Sequence, residues 1–319
     1  MRQNIQMREI VIEIRDFFKK DFNLLAYTYT IVFLTSAIYF NYKYNFENSI
    51  VDRFYGKPIS FLTYFLYYLT PYLLIIIPVL FIKKKQNLLK QSEFWIKSIV
   101  FFGIFGIMVA FWQFRYLINF SKFNYSENNF VHNLIFNLKR IIPFIIIFYA
   151  VKKFYDKDLN HLYGLRYKGM NYRPFFLMLL LMIPLIIIAS FQPDFQHTYP
   201  QYRFYNYKGV FGMSPGQSEG IFELAYGLDF VSIELMYRGA LIVGMARILG
   251  REAVVPMAGA YVILHFGKPL GEAVSSFFGG MILGIHALAK KNIFGGIIIH
   301  VGIAYFMEIA AILQHFYGH

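Results

Sequence analysis

The sequence predicts an all-α fold, a polytopic transmembrane helical bundle of about eight or nine membrane segments, and three observations carry that reading. Apolar residues make up 57% of the chain and charged residues only 15%, against about 25% charged in an ordinary soluble domain. Long stretches are almost free of charge, and a bilayer core of about 30 Å asks for about 20 mainly apolar residues per helix. The basic residues sit in the segments between those stretches and favour one side.

Residues 1–22 alternate charged and apolar side chains, from Met1-Arg2 to Lys20-Asp21, without a small-residue cleavage site. An interfacial amphipathic helix is expected there, not a signal peptide. The expected spans follow as Leu24–Phe40, Ile59–Ile82, Ile96–Phe114, Phe130–Ala150, Phe175–Ser190, Gly220–Ala246, Ala253–Phe266, Leu270–Ala289 and Ile293–Leu313. The seventh is short and meets the eighth at Gly267-Lys268-Pro269, a helix-stopping cluster, so two half-length segments are the alternative there.

With the amino terminus in the cytoplasm, the inner segments hold 20 Lys and Arg and the outer ones seven. That asymmetry follows the positive-inside rule and predicts an odd number of spans. The formal charge of +13 therefore reflects membrane orientation and not a nucleic-acid surface, since no single basic stripe forms. Cysteine is absent, which excludes disulfides, thiol catalysis and thiolate metal ligands.

The chain divides into a segment 1–22, amino-terminal helices over 23–174 and a core over 175–319. Of the 23 glycines, 18 lie at or beyond Gly209. Small residues let membrane helices approach closely, so the back half is expected to be the tightly packed one. Gly280 and Gly284, Gly295, Gly296 and Gly302 mark that packing.

Ionisable side chains within membrane helices cost about 2.5–3.5 kcal/mol on insertion scales and are candidates for function. Glu234 and Arg238 are four residues apart, on one helix face. Standing alone they read equally well as an ion pair that lets the helix insert. His265 and His300 fall at similar depth on two further helices. A carboxylate and two imidazoles on three helices suit a divalent ion or an activated water. Glu272 stands in the first turn of a helix, where the macrodipole favours a carboxylate; Glu308 lies nearer the outer surface. Lys139 and Arg140 either mark a helix break or line a cavity that accepts a carboxylate.

Three short motifs then resemble a known family. Ile233-Glu234-Leu235-Met236-Tyr237-Arg238, Tyr261-Val262-Ile263-Leu264-His265 and His300-Val301-Gly302-Ile303-Ala304 are similar, in order and spacing, to the motifs of the CPBP or Abi intramembrane proteases, relatives of the type II CAAX prenyl endopeptidases. Those motifs read E-E-x-x-x-R, F-x-x-x-H and H-x-x-x-N. Here Ile233 replaces the first glutamate, the residue the family is thought to use with histidine to activate water, and Ala304 replaces the terminal Asn.

The resemblance implies an intramembrane peptidase acting on a membrane-anchored peptide or lipoprotein among membrane lipids, in the bacterial cytoplasmic membrane. Glu234, Arg238, His265 and His300 are its expected catalytic residues. Glu234, His265 and His300 are also expected ligands for one divalent metal, zinc foremost, or the imidazoles stabilise the oxyanion if no ion is present. Tyr261, Glu272 and Glu308 are expected as supporting polar groups. The alternative is a non-proteolytic member that transfers acyl groups or serves as an immunity or binding protein. A transporter is the third reading, suggested by the interrupted helices.

Overall fold

The computed structural model describes residues 2–167 and 170–318, with side chains described from Arg8 onward. The expectations that touch Met1, the side chain of Arg2, Lys168 and His319 lie outside the described residues. Among the described residues the fold is helical throughout, with isolated bridges but no strand.

Helix α1 (Arg2–Asp21) buries Ile10 and Phe17 and exposes Arg8, Arg15, Lys19 and Lys20. Helices α2 (Leu24–Tyr44), α3 (Ser60–Ile82) and α4 (Ser92–Ala110) follow, then α5 (Tyr125–Leu138) and α6 (Ile141–Tyr155). Lys139 and Arg140 form the turn between α5 and α6, which is the helix break the two charges marked. After α7 (Arg173–Ser190) a long loop leads to α8, which runs Pro215–Glu234 and continues in the wider π pitch over Leu235–Gly244. Helix α9 is Val254–Leu264, α10 Leu270–Lys290 and α11 Phe294–Tyr317.

Among the described residues seven helices are long and apolar enough to cross a membrane, with α5 and α6 counted together over Tyr125–Tyr155, slightly below the eight or nine expected. The two expected spans that drop out are Gly220–Ala246 and Ala253–Phe266. The first carries Glu223, Asp229, Glu234 and Arg238. The second shrinks to the 11 residues of α9, about half the length of a spanning helix at 1.5 Å per residue. Parts of these two segments form the interior of the bundle: every residue from Leu235 to Gly244 and from Val254 to Ile263 is buried, while Ile221, Leu224 and Leu228 earlier in the first are exposed. Asp229, Glu234 and Arg238 are buried against protein.

Local sequence fixes the ends that matter. Ser214 accepts from Gln217 N while the Gln217 side chain accepts from Ser214 N, with Pro215 in the first turn, so α8 starts with a capping box. Helix α9 stops at His265, and Gly267, at φ +80°, turns the chain into α10. A wider turn in the middle of a helix often marks a functional position, and here it begins one residue after Glu234 and carries Arg238.

Buried charge ties the ends of several helices together. Lys97, wholly buried on α4, meets Asp156 and Glu93 and donates to the Gly244 carbonyl at 2.7 Å. Lys83 bridges Asp21 and Glu252, each at 2.8 Å. On α1, Glu13 faces His286 at 2.8 Å and Lys290 at 3.2 Å, both on α10. Burial raises the Glu13 carboxyl, but the hydrogen bonds and charges of His286 and Lys290 outweigh it and hold that carboxyl below its usual range.

Candidate active site

Glu234 ends the α-helical part of α8 and Arg238 lies one turn further, in the π stretch. Both are buried to within 1% of their surface. A lone charge at such a position costs several kcal/mol, and the pair meets this by closing on itself, Arg238 Nη1 donating to Glu234 Oε1 at 2.8 Å. Gly296 on α11 makes the room: a Cβ there would stand 2.1 Å from Glu234 Oε2. The guanidinium also lies 4.0 Å from the centre of the Tyr261 ring, a distance at which the ring face attracts a cation.

Helix α11 brings His300 to the same carboxylate, Nδ1 at 3.2 Å from Glu234 Oε1. The Tyr261 hydroxyl lies 3.1 Å from His300 Nε2. Glu234, Arg238, Tyr261 and His300 thus form one network drawn from three helices. His265 joins it from the end of α9, its ring 4.5 Å from that of Tyr261.

The tautomer of neutral His265 follows from its partner. Nδ1 lies 2.8 Å from the Tyr261 carbonyl oxygen, and a carbonyl only accepts, so Nδ1 donates and Nε2 keeps its lone pair. That Nε2 faces Glu272 Oε1 at 3.9 Å. The other oxygen of Glu272 accepts from the Tyr199 hydroxyl at 2.8 Å, and Lys268 Nζ stands 3.4 Å from that hydroxyl. The loop between α7 and α8 therefore reaches in to hold Glu272.

These groups surround a cavity of about 1180 Å³. Arg238, Tyr261, His265, Glu272 and His300 line it, and Glu234 lies behind them, without exposure. Ile233 and Ala304, the two departures from the family motifs, also line it. Leu185 on α7 and Phe278 on α10 belong both to the cavity wall and to the outer surface, 58% and 63% exposed. Apolar walls next to a lipid-facing surface suit an apolar guest.

Glu47, in the turn after α2, lines the same cavity. Burial, and after it the Asp52 carboxylate, push the Glu47 carboxyl up to about 8.

Of the expected supporting groups, Tyr261 and Glu272 stand at the site. Glu308 does not touch it: its carboxylate accepts from Gln201 N at 2.9 and 3.1 Å and gathers with Glu219 and Glu223. Among the described residues, those three glutamates are the one set of His, Asp and Glu whose donor atoms all lie within 4.8 Å of one another. Glu234, His265 and His300 form no such set, because Tyr261 stands between the imidazoles and Glu234 Oε1 is already taken by Arg238 and His300. As placed, these three side chains do not fit a single ion, whose nitrogen and oxygen ligands would lie about 2 Å from it.

Sequence reasoning missed Asp229 and Tyr199, and it marked Gly296 as a close-packing position without placing it against Glu234. Arg140 lines the cavity but is fully engaged: its Nε donates to Asp229 Oδ1 at 2.8 Å and its Nη2 donates to Asp229 Oδ2. Lys139 Nζ is spent on the carbonyls of Val109 and Phe111. Two opposite charges in separate apolar stretches, 89 positions apart, were the available signal for that pair. Tyr199 gave none.

Residues 223–306 match the family model of the type II CAAX prenyl endopeptidases, Rce1-like, in agreement with the resemblance carried by the three motifs. The matched stretch contains Glu234, Arg238, Tyr261, His265, Glu272 and His300 and ends before Glu308. No curated protein and no solved structure matches the chain.

Proposed function

We propose that the chain is an intramembrane CAAX-protease-like peptidase that hydrolyses a membrane-anchored peptide or lipoprotein. The observation that carries this reading is the convergence of Arg238, Tyr261, His265 and His300 from three helices on one largely apolar cavity. The basic excess of the inner segments supports a cytoplasmic amino terminus.

The arrangement divides the chemistry between two walls. On one, His265 Nε2 is the available acceptor and holds the water that attacks. On the other, Arg238 offers donors to the oxyanion that develops on the carbonyl, in a low-dielectric site where such donors count most. His300 stands beside it, with Nδ1 donating to Glu234 and Nε2 accepting from the Tyr261 hydroxyl. Glu234 acts through them as a positioning residue, fixing Arg238 at 2.8 Å and His300 at 3.2 Å. No step in this scheme passes through a metal ion.

Ile233 and Ala304 support a second reading, a non-proteolytic relative that binds or transfers acyl chains. The experiment is to reconstitute the full chain in liposomes with a pool of N-palmitoylated peptides and follow products by mass spectrometry. Peptidase action predicts new carboxyl termini with the unmodified chain and at least about a hundredfold less with His265→Ala or His300→Ala. Equal product from folded variants, or none from any chain, contradicts it.

A further inference from the structure

The family motif places a first glutamate at the position of Ile233, and that carboxylate is the one thought to activate water with histidine. In this chain the position is apolar and lines the cavity. Glu234 does not take over its place, since it is wholly buried behind Arg238 and His300 and one of its oxygens is shared between them. A different carboxylate does face the available nitrogen of His265.

We propose that Glu272, delivered from the first turn of α10, is the catalytic base of this chain, replacing the glutamate lost at Ile233; the proposal rests on the peptidase reading above. Three observations support it. Glu272 and His265 both line the cavity. Their facing atoms, Oε1 and Nε2, lie 3.9 Å apart, too far for a direct hydrogen bond and the right span for one water held by both. Two hydrogen bonds of about 2.8 Å meeting at roughly a right angle close that distance. Finally, Glu272 is held in place: its second oxygen is fixed by the Tyr199 hydroxyl at 2.8 Å, which leaves Oε1 aimed at the water.

The reaction balances without any further reagent. The water gives one proton to Glu272 as its oxygen bonds to the substrate carbonyl carbon, and the oxyanion that forms is met by Arg238. The carbon–nitrogen bond then breaks, and Glu272 hands the same proton to the leaving nitrogen, yielding a carboxylic acid and an amine. His265 holds the water and gains or loses nothing over the cycle. Tyr199 is a positioning residue for Glu272.

The test uses the full chain in liposomes and the N-palmitoylated peptide pool. Glu272→Gln, with its melting temperature unchanged, is expected to lower turnover by about 10² to 10⁴, the range for a general base. Glu272→Ala is expected to lose as much and to regain part of it on addition of formate, which a structural role would not permit. A folded Glu272→Gln with unmodified turnover, beside an inactive His265→Ala, overturns the role of Glu272 and leaves the peptidase reading standing. Loss in both Glu272 variants without rescue by formate likewise overturns it. An unmodified chain that cleaves nothing overturns both.

Discussion

Substituting Gly296 by alanine adds a single methyl group against the buried carboxylate on which the network depends. The new Cβ would lie 2.1 Å from Glu234 Oε2 and 2.9 Å from its Cδ, so the carboxylate must retreat by about 1 Å to reach ordinary contact. Its other oxygen holds Arg238 at 2.8 Å and His300 at 3.2 Å, and a shift of that size breaks one of them. A hydrogen bond to a charged group is worth about 1.5–3 kcal/mol. The expected result is therefore roughly a tenfold to hundredfold loss of turnover, with a lowered melting temperature. Gly103→Ala is the control, because a Cβ there meets nothing within 4 Å. It should leave turnover unchanged and raise stability by about 0.4–1 kcal/mol. Wild-type turnover and melting in Gly296→Ala would refute the placement of Glu234 against α11.

Arg140→Ala should destabilise the bundle by about 3–5 kcal/mol by leaving Asp229 buried without its partner, and the double variant Arg140→Met with Asp229→Leu should recover much of this in detergent unfolding. Glu13 has a lowered pKa in the folded chain, so its contribution is present above the usual value of 4.5 and lost as pH falls through the folded value. The difference in melting temperature between the unmodified chain and Glu13→Gln should accordingly shrink as pH falls below 4.5. Glu47 has the opposite sign: its folded pKa is raised to about 8, so stability is fully present below 4.5 and lost as pH rises through about 8. Glu47→Gln should abolish that alkaline loss of melting temperature. Tyr199→Phe frees one oxygen of Glu272 and should lower turnover while leaving the affinity for the N-palmitoylated peptides unchanged.

The helical class of the fold is legible in the sequence because bilayer thickness dictates run length, and the seven long apolar helices found among the described residues each overlap one of the stretches that composition marks. The two expected spans that do not meet the length and composition of a crossing helix, Gly220–Ala246 and Ala253–Phe266, hold the stretches Leu235–Gly244 and Val254–Ile263, which pack among other helices and not against the outside. Apolar composition alone cannot separate those environments, although Asp229, Glu234 and Arg238 within one stretch point to the interior. At the site, fixed spacing reveals Glu234 and Arg238 as a pair, and motif order singles out His265 and His300. The contacts across helices were hidden: Glu234 with His300, Glu272 with His265, and Arg140 with Asp229 join positions 66, 7 and 89 residues apart. Glu308, expected as a supporting group although it lies nearer one surface, stands apart for the same reason, since its neighbours are Gln201, Glu219 and Glu223. The π pitch after Glu234, which sets the direction of Arg238, has no local sequence rule behind it.

The central claim is that water, and no other acceptor, receives the acyl group of a membrane-anchored substrate in this cavity. Incubating the reconstituted full chain and the N-palmitoylated peptides in ¹⁸O-labelled water tests it most directly. The account predicts that each new carboxyl terminus carries the label and that His265→Ala and Glu272→Gln lose labelled product together. Products without the label, or acylated products in place of free carboxyl termini, would contradict it and establish a transferase in its place.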